Sequence, residues 1–205
     1  MRTLVVLDHP YGADAWDNTP HRRSFTAALV HAASQGILAA GGEVDLIDLH
    51  ADGFDPVMHA EDLAAWRHGE SVDPMVAGYQ QRLLAADRLI LAFPIWWELM
   101  PAMTKGWLDK VLLKGAAYDQ PKPNGLMKRR LTRLDSVTLI TVMSTPGALY
   151  RLVFGSPVTK AVFRGTFRKI GIRHLTWLNH ANPAARSPQQ RADILARTTA
   201  AFRKG

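Results

Sequence analysis

The chain has 205 residues, 47% of them apolar, a formal charge of +7 and no cysteine. That length suits one domain with a substantial core, and the missing cysteine excludes disulfides and thiolate chemistry. No apolar run approaches the roughly 20 residues needed to span a bilayer, so a soluble, cytoplasmic protein without membrane insertion is expected.

Leu4-Val5-Val6-Leu7 is a continuous apolar run, as in a strand covered on both faces, and it ends at about His9. A polar loop with Pro10, Gly12, Asn18 and Pro20 follows. Ser24 has the chemistry of an N-cap. Phe25, Ala28, Leu29, Ala32, Ala33, Gly36, Ile37 and Ala40 then mark one face of a helix ended by Gly41-Gly42. Val44, Leu46, Ile47 and Leu49 alternate more, which predicts a strand at or near a sheet edge. From Ala51 to Pro74 the chain reads as a surface excursion with at most a short helix around Glu61 to Arg67. Pro74 starts a helix carrying Met75, Tyr79, Leu83 and Leu84, and Leu89 to Phe93 forms a third buried strand. Met103, Trp107 and Val111, spaced i, i+4 and i+8, predict a helix after Pro101. Asn124-Gly125 marks a turn, Val137 to Met143 a fourth strand, and Leu175 to Leu178 a weaker fifth before a final helix from Ser187 to Phe202. This alternation predicts a single α/β domain over 1–205, a parallel sheet with helices on both faces. Ligands bind such sheets at the carboxyl ends of the strands, which draws attention to the loops after His9, Phe93 and Met143.

The second of these loops opens Phe93-Pro94-Ile95-Trp96-Trp97. Two adjacent indoles there can exclude water and stack on a flat ring such as a flavin. The competing reading, that they fill a core, is weakened because neighbouring strand side chains point to opposite faces. The first loop ends Arg22-Arg23-Ser24-Phe25-Thr26 at a helix N-terminus, where unpaired N–H groups and the helix dipole favour a phosphate. Ser24 is equally well read as a cap and Phe25 as core. No Gly-x-Gly-x-x-Gly or Walker motif is present, which disfavours a nucleotide site of either kind. In the third, Ser144-Thr145-Pro146-Gly147, glycine lets backbone N–H groups approach a ring edge, although Pro146 cannot donate. Tyr150 offers a phenol to a substrate oxygen, or simply packs.

Other chemistries are not supported. The eight histidines lack metal-ligand spacing, and Gly-x-Ser-x-Gly is absent. The basic clusters, His21-Arg22-Arg23, Lys128-Arg129-Arg130 with Arg133, and Arg164, Arg168, Lys169 and Arg173, come without a nucleic-acid motif and read as solvated surface.

Taken in order, these segments resemble the NAD(P)H:quinone oxidoreductase family, flavodoxin-like flavoproteins related to DT-diaphorase. The most specific part runs from Phe93-Pro94-Ile95-Trp96-Trp97 through Pro101-Ala102-Met103 and Lys105-Gly106-Trp107-Leu108-Asp109 to Gly115-Ala116-Ala117-Tyr118. The resemblance implies a three-layer α/β/α flavodoxin-like fold with a five-stranded parallel sheet of order 2-1-3-4-5. It implies a flavin against Pro94, Ile95, Trp96 and Trp97, with its pyrimidine edge near Ser144, Thr145 and Gly147. The phosphates would rest on the loop of His9, Ser24, Phe25 and Thr26, and Tyr150 would be the catalytic residue. NAD(P)H would give a hydride to the flavin and a quinone would take it in a ping-pong cycle, within a homodimer whose active site lies at the subunit interface. His21, Arg22 and Arg23 favour FAD over FMN by offering to hold a second phosphate. The first loop is longer than in the best-known members, Pro146 replaces a glycine, and no histidine matches the tyrosine's usual partner. Alternatives are an azo- or nitro-compound reductase, or a flavin-bound ancillary subunit of a cation-efflux system.

Overall fold

The apolar runs form the inner strands of a parallel sheet. In the computed structural model, which describes residues 1–17, 20–122 and 125–204, the sheet has the order β2-β1-β3-β6-β7. Asn18 of the first loop and Asn124 of the expected Asn124-Gly125 turn lie outside the described residues. The strands are β1 (Arg2–Leu7), β2 (Glu43–Asp48), β3 (Arg88–Pro94), β6 (Ser136–Met143) and β7 (His174–Ala181), all paired in parallel. Counted along the chain this is the expected order 2-1-3-4-5. β4 (Tyr118–Asp119) and β5 (Lys128–Arg129) form a separate antiparallel pair that hydrophobic periodicity does not announce.

Alternation along the strands divides the core in two. Leu4 and Val6 of β1 and Leu89, Leu91 and Phe93 of β3 face one way, packed on Tyr79 and Leu83 of α3 (Pro74–Ala85) and Trp107 and Val111 of α4 (Ala102–Val111). Val5, Leu7, Ile90 and Ala92 face the other, packed on Ala27, Val30 and Ile37 of α1 (Phe25–Ala39) and Ile194 of α7 (Pro188–Arg203). Burial of both faces is why the inner strands read as unbroken apolar runs. β2 lies at an edge, as its alternation predicts, and is partly exposed. β7 extends past the expected Leu175–Leu178 because it pairs with the whole of β6.

Capping decides where helices start. Ser24 accepts from the Ala27 N–H at 3.1 Å, Asp73 from Met75 at 2.8 Å, and Ser187 from Gln190 at 3.2 Å, with Pro74 and Pro188 opening α3 and α7. After β6 come α5 (Gly147–Leu152) and α6 (Pro157–Thr159), the latter running into a π-helical stretch over Lys160–Phe167. Neither has a clear sequence signal.

The excursion after β2 contains α2 (Ala60–Trp66) and is fastened to α4. Lys110 is 4% exposed, pairs with Asp62 at 3.1 Å, and donates to the carbonyls of Asp55 and Val57 at 3.3 and 3.1 Å. One turn earlier, Gly106 meets Pro56 so closely that an added Cβ would overlap its backbone and ring. Gly106→Ala should destabilise the protein by about 2 kcal/mol through this overpacking, read as a lower midpoint in urea unfolding.

Candidate functional site

β1, β3 and β6 end side by side, and backbone hydrogen bonds continue past them. The Asp8 N–H donates to Ala92 O at 2.9 Å, and the Ile95 N–H to Val142 O at 2.8 Å. The three loops picked out from the sequence therefore leave the sheet at one edge.

Asp8 is 1% exposed. Its Oδ2 accepts from the Thr104 N–H at 2.8 Å and the Thr104 hydroxyl at 2.7 Å, and its Oδ1 pairs with His50 Nε2 at 3.0 Å. Pro101, at the start of α4, contributes no side-chain cap. Asp8 supplies one from just past the end of β1.

Between these anchors runs the aromatic segment. β3 stops at Pro94, so the indoles stand in a tight turn and not on a strand as the sequence suggests. Trp96 N donates to Leu99 O at 3.0 Å and Leu99 N to Trp96 O at 3.1 Å. Trp97 and Glu98 both have positive φ, 47° and 65°. The turn throws the indoles outward: Trp96 is 48% exposed and Trp97 97%. Ile95 is buried in the core and Pro94 is half-buried, so both underlie the turn.

Glu98 ties this turn to the one after β6. Thr145 Oγ1 donates to Glu98 Oε1 at 3.0 Å, and the Tyr150 hydroxyl donates to Glu98 O at 2.9 Å while accepting from the Val158 N–H at 3.1 Å. Tyr150 is fully buried, and burial pushes its phenol up. Expected as the catalytic group, it has its hydroxyl engaged on both sides, by the Glu98 carbonyl and the Val158 N–H. Ser144 is exposed, Thr145 half-buried, and Gly147 has open space where a side chain would stand.

On the other side lies the N-terminus of α1. Ser24 and Thr26 are buried, and Ser24 serves as the cap. The first-turn N–H groups of Phe25 and Thr26 have no partner within the helix, as at any helix start. Burial pushes the His9 imidazole down, with His50 adding to the effect. His9 Nδ1 accepts from the Tyr11 N–H at 3.2 Å, which leaves the ring proton on Nε2 as a donor. Alongside opens a cavity of about 470 Å³ walled by Trp16, Arg23, Phe25, Pro183, Pro188 and Arg191. Trp16 is held in place by stacking on His31, with ring centroids 3.9 Å apart and planes 6° off parallel.

The site therefore offers exposed indole faces, an open helix N-terminus, a cavity beside it and an orphaned buried oxygen, Glu98 Oε2. This donor set fits a flavin. Sequence reading missed Asp8, Thr104 and Glu98; they meet across 96 and 47 residues of chain, and no periodic pattern marks them.

Comparison with known proteins bears on the fold and family. A family model described as flavodoxin-like fold matches residues 1–204. An uncharacterized NAD(P)H oxidoreductase of Escherichia coli is 36% identical over 100 residues, 48% of this chain and 51% of the relative. NAD(P)H dehydrogenase [quinone] 1 of Rattus norvegicus is 31% identical over 134 residues, 57% and 45% of the two chains. The chain thus spans about half the length of these curated relatives. An NAD(P)H:quinone oxidoreductase structure from Methanothermobacter marburgensis superposes with a TM-score of 0.82 at 21% identity, covering 99% of this chain and 98% of the other. An FMN-dependent NADH-azoreductase from Bacillus anthracis, in complex with FMN, gives 0.76 at 14% identity, covering 100% and 99%.

Asp8→Ala should cost about 2 kcal/mol in urea unfolding, by uncapping α4 and stranding Thr104, and Thr104→Val, which keeps the backbone bond, about 1 kcal/mol.

Proposed function

The chain belongs to the flavodoxin-like fold family, and on that footing we propose that it is a flavin-dependent NAD(P)H oxidoreductase that passes two electrons to quinones or similarly flat acceptors. The observation that carries the reading is the exposed indole pair, held on a rigid turn between the open N-terminus of α1 and the turn after β6.

A bound flavin supplies the hydride chemistry; the protein supplies placement and electrostatics. Trp96 and Trp97 offer faces that keep water from the ring, above Pro94 and Ile95. Ser144, Thr145 and Gly147 meet the pyrimidine edge. The N–H groups of Phe25 and Thr26, the Ser24 and Thr26 hydroxyls and the His9 Nε2 proton hold phosphate, aided by the dipole of α1. Tyr150 is a positioning residue, fixing the backbone of Glu98. NAD(P)H and acceptor use the same exposed face in turn, a ping-pong cycle.

Two finer points belong to the same proposal. FAD is favoured over FMN because the cavity beside Ser24 has an aromatic wall in Trp16 and Phe25 and a cation in Arg191, the complement of an adenosine with its phosphate. A homodimer is favoured because Leu149, Leu152, Val153 and Phe154, in and just after the helix whose Tyr150 bonds the Glu98 carbonyl, are all exposed, and a second copy would cover them. Among the described residues no helix is long and apolar enough to cross a membrane. We place the protein in the cytoplasm, where NAD(P)H is renewed.

Purified protein should be yellow, bleach with NAD(P)H, and recolour on addition of a quinone. Protein that neither binds added flavin nor oxidises NAD(P)H would overturn the reading, and turnover of azo dyes or nitroarenes above quinones would reassign the acceptor. Trp97→Ala should weaken flavin retention about tenfold by opening a stacking face to water, measured by fluorescence titration. Arg191→Ala should weaken FAD about tenfold and leave FMN unchanged if the cavity receives the adenosine end.

A further inference from the structure

We propose that Glu98 sets the reducing strength of the bound flavin by accepting the ring N–H of its pyrimidine on the carboxylate oxygen that no protein group satisfies. The inference rests on the flavin reading above and adds a specific residue and a specific effect to it.

Three buried side-chain polar atoms lack a partner among the described residues: Thr3 Oγ1, Trp107 Nε1 and Glu98 Oε2. Thr3 lies near the start of β1, away from the loops, and Trp107 is a core residue of α4. Glu98 Oε2 alone belongs to the loops at the carboxyl edge, and it alone is part of a charged group. A buried carboxylate oxygen without a donor is costly, so its persistence calls for a reason. No ion pair relieves it among the described residues.

Its position is tightly determined. Trp97 and Glu98 are successive non-glycine residues in the left-handed region, a conformation that holds only when surrounding contacts impose it. Those contacts are the two backbone bonds closing Trp96 on Leu99, the Tyr150 hydroxyl on Glu98 O, and the Thr145 hydroxyl on Glu98 Oε1. One oxygen is pinned to the residue assigned to the pyrimidine edge, and the other is left over beside it.

An oxidised isoalloxazine presents acceptors at N1, O2, O4 and N5, and a single N–H, at N3 of the pyrimidine. Of these, the N–H is the complement to a free carboxylate oxygen. The charge then has a consequence for redox chemistry. Reduction places negative charge over N1 and the neighbouring carbonyl of the same ring, and an adjacent carboxylate opposes it. Pro146, with no N–H, withholds a donor that would offset this. Glu98 therefore binds the oxidised ring in preference to the reduced one, making the reduced ring a stronger donor.

The test compares wild type with Glu98→Gln, which keeps shape and loses charge. Dissociation constants for oxidised and anaerobically reduced flavin are measured by fluorescence and calorimetry, and midpoint potentials against reference dyes. The expected result is that E98Q raises the affinity for reduced relative to oxidised flavin about tenfold, the scale of one charge contact in a partly screened site. Flavin methylated at N3 should bind wild type at least about tenfold more weakly than normal flavin, and E98A should abolish that discrimination. Equal weakening of both redox states in E98Q, with an unchanged potential, would reduce Glu98 to a latch and overturn the proposal. If E98Q does not fold, the methylated flavin decides with wild type alone, and equal binding overturns it. Wild type that binds no flavin would overturn the flavin reading itself, a different outcome from wild type that binds flavin while E98Q leaves the ratio unchanged.

Discussion

The buried carboxylate of Asp8 is the constraint from which the rest of the site follows. A helix start leaves N–H groups without partners, and α4 begins at a proline that cannot cap it with a side chain. A carboxylate buried in a core needs donors of its own. Asp8 and Thr104 meet both needs at once, across 96 residues of chain, while His50 takes the remaining oxygen. Because Asp8 follows a central strand, α4 cannot shift without disturbing the sheet. The aromatic segment is then slung between two fixed points, Ile95 on β6 and Thr104 on Asp8.

That fixed span explains a local conflict between sequence and conformation. Tryptophan and glutamate are poor residues for a turn with two positive φ angles, where asparagine and glycine are the usual choice. The turn persists because Tyr150, wholly buried, grips the Glu98 carbonyl, and Thr145 grips its side chain. In exchange, Trp97 is presented almost entirely to the outside. Local propensity gives way at the place where the ligand would be met, as it commonly does at functional sites.

Where burial imposes a period, the fold was legible. Leu4 to Leu7 and Leu89 to Phe93 read as two-sided strands because both faces are covered, Ser24 announced a helix start through its capping chemistry, and Pro74 did so through its fit to the first helical position. The weaker Leu175–Leu178 signal underran β7 because an edge strand is only half-buried. The π-helical stretch over Lys160–Phe167 was illegible, since its spacing departs from both periods a sequence reader looks for. The site was legible in its aromatic and glycine-containing loops and opaque in its hydrogen bonds. Asp8 and Glu98 look like ordinary surface acids until the chain brings Thr104, Thr145 and Tyr150 to them. The indole pair stands out because it leaves the strand in a turn, not because a strand divides it between two faces.

The docking of α7 has a different kind of consequence. Gly36 of α1 lies so close to Thr199 that no side chain fits between the helices, and Thr199 Oγ1 donates to Ala32 O at 3.0 Å across 167 residues. The first turn of α7 also walls the cavity beside Ser24 through Pro188 and Arg191. One wall of that hollow is thus the first turn of a C-terminal helix that joins the core through Ile194. A molecule lodged there would touch α1 and α7 together, and by mass action its binding would add to what clasps the C-terminal end of the fold.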